Sequence, residues 1–207
     1  SVTKIKISTI KKIPVVLGEV DIIKSIQLLP GVTNSGEGTG GFNVRGGAVD
    51  QNLVLLDEAI IYNTSHLLGF FSVFNADAIK DIKLYKGSIP AKFGGRVSSV
   101  LDVRQKDGNN KAFNLTGGIG SISSRLAAEG PLFKEKGSFL VAGRTSYINL
   151  FLKAAGEENS LSFYDLNLKS NYNINENNKL FVSGYLGRDN FKFEGGFSNA
   201  YGNVTGN

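Results

Sequence analysis

Three short stretches of this sequence carry groups that could do chemistry. The glycine-rich run 36–41 (GEGTGG) is of a kind that can cradle phosphate, which requires a strand before it and a helix N-terminus after it. Here an apolar run at helical spacing that stops at Pro30-Gly31 comes before the glycines, and the strand-like Phe42–Arg45 comes after them. Since this order is reversed, the sequence argues against nucleotide binding.

The other two stretches are Asp57-Glu58 and Ser65-His66. Adjacent residues of a strand point to opposite faces, so the two carboxylates do not form an acid/base pair, and a turn is predicted there. A serine beside a histidine is not a triad without an oriented acid. With a single histidine and no cysteine, thiolate and two-histidine metal sites are excluded. We predict no enzyme, no cofactor and no metal site, and His66 is either a loop residue or a ligand contact.

The composition is that of a folded chain. Of 207 residues, 41% are hydrophobic and 20% are charged, which argues against disorder. The net charge of +5 comes from basic residues that are scattered along the chain, so we expect no nucleic-acid partner. No run approaches the ~18 apolar residues of a membrane-spanning helix. Any membrane role must therefore run through β-strands.

Up to about residue 107 the sequence predicts short elements in mixed order. Apolar residues from Val20 to Leu29 follow helical spacing, and Pro30-Gly31 ends the run. A mobile glycine-rich loop is predicted at 33–41 and a helical turn in the apolar patch 67–74. The other predicted elements are a strand at 42–45, a hairpin or bent strand at 52–61, a helix cap at Asn75-Ala76-Asp77, and strands at 82–85 and 99–104.

After residue 108 the rhythm changes to long strands separated by turns. Four strands are predicted, at 112–129, 138–152, 161–174 and 179–193, each longer than the usual ~5–6 residues. In the third, one face carries Tyr164, Leu166, Leu168 and Tyr172, and the other carries Asp165, Asn167, Lys169, Asn171 and Asn173. Such alternation fits either a barrel between lipid and a wet lumen or a soluble sheet with one solvated face. Strand length favours the barrel.

Three further segments carry a family resemblance when taken together. They are 43–57 (NVRGGAVDQNLVLLD), 79–87 (IKDIKLYKG) and 90–103 (PAKFGGRVSSVLDV). In this order and spacing they resemble the plug domain of TonB-dependent outer-membrane receptors, over residues 10–105 strongly and to about 193 loosely. The chain is most similar to the subgroup that carries a carboxypeptidase-regulatory-like domain in front of the plug. It departs from the pattern at Glu58, where the family usually has glycine.

The resemblance implies the fold class. We expect an α+β plug domain with a mixed sheet and short helices at 1–107, followed at 108–207 by long antiparallel strands of an incomplete transmembrane β-barrel. Because the family's barrel has about 22 strands and four strands cannot close, the chain is expected to be part of a longer receptor.

The resemblance also implies a function. It is energy-coupled import of a nutrient, such as a siderophore, cobalamin, a glycan or a peptide, across the outer membrane of a Gram-negative bacterium. The implied partners are a TonB-type periplasmic protein, the imported small ligand, outer-membrane lipid and a surface lipoprotein. The alternative is a soluble β-rich binding or adhesion module.

Two sets of site residues follow from the resemblance. Loops 33–41 and 62–71 are expected to bind the ligand, through Asn34, Glu37, Tyr62, Asn63, His66, Phe70 and Phe71. The aromatic faces and polar tips of the second loop suit an amphipathic ligand, although this patch could equally cap the plug core. Arg45 and Lys86 are expected to contact acidic side chains of the barrel wall, with Asp50 as a local substitute for Arg45 where that wall is missing.

Overall fold

A computed structural model of the protein describes residues 2–13, 19–36, 40–134, 136–157, 159–192 and 198–206, the segment 198–204 as backbone only. The chain divides into two compact units, one formed by Ser1–Val16 and Val20–Gln105, the other by Leu17–Glu19 and Lys106–Asn207. None of the helices in the described ranges is long and apolar enough to span a membrane.

The first unit is built on a five-stranded mixed sheet. Its elements are β1 (Val2–Lys6), α1 (Ile7–Ile10), α2 (Ile22–Gln27), β2 (Val32–Asn34), β3 (Phe42–Val44), β4 (Asn52–Leu56), β5 (Ala59–Ile60), β6 (Ser65–His66), β7 (Phe71–Ser72), β8 (Ile79–Tyr85) and β9 (Ser99–Gln105). The main sheet has the order β1-β8-β9-β4-β5, in which only β4 and β9 are parallel. Two small hairpins, β2-β3 and β6-β7, complete the unit.

Strand β8 of this unit follows the alternation of buried and more exposed residues in the sequence. Helix α2 begins at a side-chain cap. On β8, Ile82 and Leu84 are fully buried, while Lys83 between them is not. Helix α2 starts at an Asp21 carboxylate that accepts a hydrogen bond from the Lys24 backbone N–H at 2.9 Å. Gly31, with φ of 74°, follows its end, so the predicted helix is present and slightly shorter than its apolar run.

Buried polar contacts at both ends fix the register of the parallel pair β4–β9. At one end the Ser99 hydroxyl donates to Asn52 Oδ1 at 2.6 Å. At the other, the Gln105 backbone N–H and side-chain amide donate to the two oxygens of Asp57 at 3.0 and 3.2 Å. Asp57 is therefore a buried structural group at the predicted turn. A one-residue slip would break both contacts and turn every side chain to the wrong face.

Two predictions for the first unit need correction, and a third is confirmed in part. Asn75-Ala76-Asp77 caps no helix, because the Asn75 side chain accepts from the Asp77 backbone N–H at 3.0 Å and closes a local turn that leads straight into β8. The glycine-rich loop begins later than predicted, since Thr33 and Asn34 belong to β2. The patch 67–74 has a 3-10 turn at Leu67–Gly69 but then enters a strand, β7.

The second unit is one antiparallel sheet whose strands follow each other in chain order. Its elements are β10 (Asn114–Ile119), β11 (Ser123–Leu132), β12 (Gly137–Ser146), α3 (Ile148–Ala154), β13 (Ser160–Asn173), β14 (Lys179–Lys192) and β15 (Ser198–Gly206). Sequence predicted four strands; the described residues form six. The described part of the sheet is not closed, with β10 and β15 at its edges.

Two of the predicted long strands were wrong in extent. The run 112–129 divides into β10 and β11 at a turn, where the Tyr147 hydroxyl donates to the carbonyls of Gly120 and Ser123. The run 138–152 ends as a strand at Ser146 and continues as α3. Both runs mix apolar residues with small and polar ones along their whole length, and such a composition alone does not separate a strand from a turn or a short helix.

The polarity of this sheet is inverted relative to a soluble sheet. On β13, Asp165, Asn167 and Lys169 are buried, whereas Tyr164 and Leu168 are 48% and 39% exposed. The same arrangement is found on β14, where Ser183 and Asp189 are buried and Val182 and Leu186 are exposed. An exposed apolar face opposite a buried polar face is the arrangement of a membrane barrel wall.

Asp107 anchors the start of the second unit. Its backbone carbonyl accepts hydrogen bonds from the Ser138 hydroxyl and from the Asn171 amide, and its carboxylate pairs with Lys179 at 2.8 Å and Lys169 at 3.2 Å. Burial alone would raise the pKa of Asp107, but the hydrogen bond from Lys179 and the two lysine charges outweigh it and hold the pKa below its ordinary value.

The turn at Glu58 gives a first prediction. Asp57 and Glu58 have φ of 47° and 75°, as in the two-residue hairpin turn in which glycine is favoured. We expect Glu58→Gly to unfold with a free energy about 1 kcal/mol higher than Glu58→Ala, because both lose the exposed Arg104–Glu58 ion pair but only glycine relieves the left-handed backbone. Chemical denaturation in detergent measures the difference, and equal stabilities would contradict it.

Asp107 gives a second prediction, on pH. A lowered folded-state pKa contributes stability that is complete above the unfolded-state pKa of about 4 and is lost as pH falls through the folded-state value. We therefore expect Asp107→Asn to be less stable than wild type at neutral pH, and the difference to close as pH falls through the folded-state pKa of Asp107. Thermal unfolding across this pH range tests the expectation. A stability gap that persists at low pH would show that the lost contacts are not ionic.

Candidate ligand-binding surface

The two loops predicted to bind ligand lie against each other in the first unit. The Thr64 hydroxyl donates to the Gly40 carbonyl at 2.7 Å. A Cβ added at Gly40 would overlap the Ser65 side chain, so a glycine at this position is what permits the approach. The structure thus brings together segments separated by more than twenty residues of sequence.

A groove of about 270 Å³ opens where these loops meet α2. Lys24 Nζ donates to the Phe70 carbonyl and Gln27 Nε2 to the Gly41 carbonyl, each at 3.0 Å, which fixes the walls. Phe70 is 57% exposed and offers an aromatic face beside these amide and ammonium groups. The groove is lined by Asp21, Ile23, Lys24, Gln27, Asn34, Gly36, Gly40, Ser65, Leu68, Gly69 and Phe70.

A second groove of about 400 Å³ lies beside Tyr62. The Tyr62 side chain is 85% exposed, and the exposed Val49 and Ile60 add apolar surface. Arg96 and Asp50 supply opposite charges in the same groove. Aromatic, apolar and charged groups together suit an amphipathic ligand rather than a purely ionic one.

For His66 and Phe71 the expected exposure is corrected. They face each other in the β6–β7 hairpin and are 0% and 3% exposed. Both residues of each short strand are buried, and Leu68 and Phe70 lie exposed at the tip of the hairpin. In this conformation His66 and Phe71 support the groove and offer no surface to a ligand.

The remaining ligand-binding candidates differ in their surroundings. The Asn34 side chain accepts from the Gly36 backbone N–H at 3.2 Å and remains exposed in the first groove. The Asn63 side chain accepts from the Ser65 backbone N–H at 3.3 Å, which holds the second loop. Glu37 lies outside the described residues. Ligand contact by any of these side chains stays a prediction.

Arg45 and Lys86 both contact the turn that follows α2. Arg45 has φ of 51°, its backbone N–H donates to the Gly31 carbonyl at 3.0 Å, and its Nη1 would lie 3.1 Å from a Cβ placed on Gly87. Lys86 Nζ donates to the Pro30 carbonyl at 2.8 Å. Their contact with acidic groups of a barrel wall stays a prediction, and for Lys86 the structure supplies this internal acceptor.

Sequence reasoning missed the contribution of α2 to the site. Lys24 and Gln27 alternate with the buried Ile22, Ile23 and Ile26, so their place on the exposed side of the helix is readable from the sequence. Their place in a groove with Phe70 is not. Among the described residues, no group of three or more histidine or acidic side chains is arranged to hold a metal ion.

Comparison with known proteins gives a family match for the first unit. Residues 1–100 match the model of the TonB-dependent receptor plug domain. None of the curated proteins is similar enough in sequence to match the chain. The family predicted from the sequence is therefore confirmed for these hundred residues.

Solved structures extend the similarity to both units. The siderophore receptor PirA of Acinetobacter baumannii is 19% identical, with a TM-score of 0.66 over 94% of this chain and 32% of that one. A ferric enterobactin receptor of Pseudomonas aeruginosa is 19% identical, with a TM-score of 0.65 over 92% and 33%. The copper transporter OprC is 11% identical, with a TM-score of 0.64 over 98% and 33%.

The chain thus spans about a third of the length of these structures. Their identities to this chain are low, so they establish the fold. The predicted fold class, a mixed plug sheet followed by antiparallel strands of a partial barrel, is confirmed.

His66 is buried and Tyr62 is exposed, and this difference gives a third prediction. We expect His66→Ala to lower the free energy of unfolding by about 1–3 kcal/mol, because it removes a buried, partnered polar side chain. The matched Tyr62→Ala should change it by no more than about 0.5 kcal/mol. Denaturant titration of both variants in detergent measures this. Equal effects would mean that His66 is not part of the packed interior.

Proposed function

We propose that this chain, whose residues 1–100 belong to the TonB-dependent receptor plug family, is the first part of an outer-membrane receptor for energy-coupled nutrient import. In this proposal the plug domain covers 1–107, and the strands from 108 begin a transmembrane barrel whose outward face meets lipid. A periplasmic TonB-type protein supplies the energy, and a small ligand is the cargo. A surface lipoprotein is a further partner.

One combination of observations carries the proposal. A plug-family match over the first hundred residues is followed in the same chain by a sheet that exposes Leu168, Val182 and Leu186 while burying Asp165 and Lys169. A soluble sheet gains nothing from this arrangement, because exposing apolar and burying charged side chains both cost free energy in water. Surrounded by lipid, the apolar face costs little and the polar face lines the interior.

The cargo is proposed to bind at the two grooves of the first unit. Asn34, Tyr62 and Phe70 supply exposed polar and aromatic surface there. The named neighbours are receptors for siderophores and a transporter for copper, so a ferric siderophore or another metal complex is the first cargo to test. Cobalamin, glycans and peptides are the next cargoes to test.

The alternative is a soluble β-rich binding or adhesion module. It shares the exposed grooves of the first unit but requires a water-compatible outer face on the strands. The exposed apolar residues of β13 and β14 favour the receptor.

Import is tested in a Gram-negative host that expresses the full-length receptor. We expect cells to accumulate radioactive iron supplied as a ferric siderophore, and accumulation to stop when the host lacks TonB, because the energy reaches the plug through that protein. Cobalamin, an oligosaccharide and a peptide are supplied in parallel as labelled probes. A double variant, Tyr62→Ala with Phe70→Ala, tests the grooves: its level in the membrane should equal that of wild type, and its uptake should be reduced.

Two outcomes would contradict the proposal. Uptake of no probe in the TonB-containing host would remove the import function. A chain that is monodisperse in buffer without detergent would remove the membrane-facing role of the strands and favour the soluble module.

A further inference from the structure

A buried ion cluster in the second unit holds a residue that precedes the strands by about a hundred positions. Arg144, on the buried face of β12, donates from Nε and Nη2 to Asp165 Oδ2 at 3.0 and 2.5 Å. From Nη1 it donates to Glu19 Oε2 at 2.9 Å. The second carboxylate oxygen of Glu19 accepts a hydrogen bond from the Ser123 hydroxyl on β11. Glu19 is thus bound to two adjacent strands at once.

The cluster is shielded from water. The side chains of Arg144, Asp165 and Glu19 are 3%, 0% and 6% exposed. The Phe163 ring covers the guanidinium, with its centroid 5.1 Å from Arg144 Cζ. Buried charges are tolerated only when they are paired and hydrogen-bonded, so removing one partner leaves the others at a much higher cost than at a surface ion pair.

The position of Glu19 in the chain gives this contact a mechanical consequence. Residues on both sides of it, Ser1–Val16 and Val20–Gln105, belong to the first unit, while Glu19 itself groups with the second. Tension applied ahead of β1 therefore acts first on the contacts of β1 with β8 and of Lys11 with Asp77, and along the chain it then reaches Glu19 before it reaches α2. Ahead of Glu19 lies the edge strand β1, which pairs only with β8 and can be peeled off one residue pair at a time.

Directly after Glu19 comes the wall of the first groove. Asp21 caps α2 through the Lys24 backbone N–H and also accepts from the Ser72 backbone N–H at 3.1 Å. Helix α2 carries Lys24 and Gln27, which hold the two loops of the groove through the Phe70 and Gly41 carbonyls. Once the contacts of Glu19 are broken, tension on the chain therefore acts next on the contacts of Asp21 and α2 that shape this groove.

We propose that Glu19, bound by Arg144 and Ser123, is a mechanical latch: it protects the ligand groove until tension breaks these contacts. This inference rests on the proposed function, in which a periplasmic partner supplies the energy, and it takes that energy to act as tension on the chain ahead of Glu19. While the latch is closed, pulling frees only the residues ahead of Glu19. Once it opens, the same pull distorts α2 and the groove, and the cargo is released.

The test is constant-force pulling on the full-length receptor in liposomes, with the handle at the N-terminus. Wild type should extend as the chain ahead of Glu19 is freed, and should then dwell before further extension. Glu19→Gln should shorten this dwell by about ten- to a hundredfold, since a hydrogen bond to a charged group is lost. Ser123→Ala, which leaves all charges in place, should shorten it by a smaller factor.

Glu129→Gln is the matched control. Glu129 lies on β11 and accepts from the Asn114 amide at 3.3 Å, so the variant removes one carboxylate charge without touching Glu19. Its dwell should equal that of wild type. A dwell that is unchanged in both Glu19→Gln and Ser123→Ala, or equally shortened in Glu129→Gln, would overturn the latch. Should Glu19→Gln fail to fold, the dwell of Ser123→Ala decides alone.

The handle replaces the periplasmic partner, so this result does not depend on import. A receptor that imports nothing but shows the Glu19-dependent dwell would refute the proposed function and leave the latch as a structural fact. A receptor that imports normally with no Glu19-dependent dwell would refute the latch alone.

Discussion

A sheet that turns its apolar side chains outward must satisfy its charged side chains on the opposite face, and this constraint governs the second unit. Arg144 forms ion pairs with Asp165 and Glu19, and Lys169 forms one with Asp107, so these buried charges are neutralised. Each pair joins residues far apart in sequence, because one strand cannot neutralise its own inward charges. The same contacts that make the buried face tolerable also fix Glu19 and the segment that starts the unit.

In the first unit the main constraint is the register of a parallel strand pair. Its only parallel strand pair, β4–β9, lacks a hairpin to set the register. Two buried polar contacts, Asn52–Ser99 and Asp57–Gln105, set it from the ends instead. Asp57 does this from a left-handed turn, a conformation that aspartate tolerates better than most residues. The backbone strain of this turn falls on Glu58, whose φ is 75°.

Backbone strain also marks the candidate ligand surface. Leu67 and Leu68 have positive φ at the tip of the β6–β7 hairpin, where bulky residues seldom adopt this conformation. The result is a tip that buries His66 and Leu67 and exposes Leu68 and Phe70 to the groove. Rigid support beneath and apolar surface above are what a binding loop needs to hold an amphipathic ligand without folding around it.

The sequence alone determined the family of residues 1–100, the fold class, the hairpin at Asp57-Glu58 and the alternation of β13, since turn chemistry and period-two patterning are local. It did not determine the break between β10 and β11, the end of β12 at Ser146, or the burial of His66. It also gave no sign that Glu19 binds Arg144. Only the tertiary structure decided these, because burial and ion pairing depend on which distant residues the chain brings together, and no local pattern encodes a partner 125 positions away.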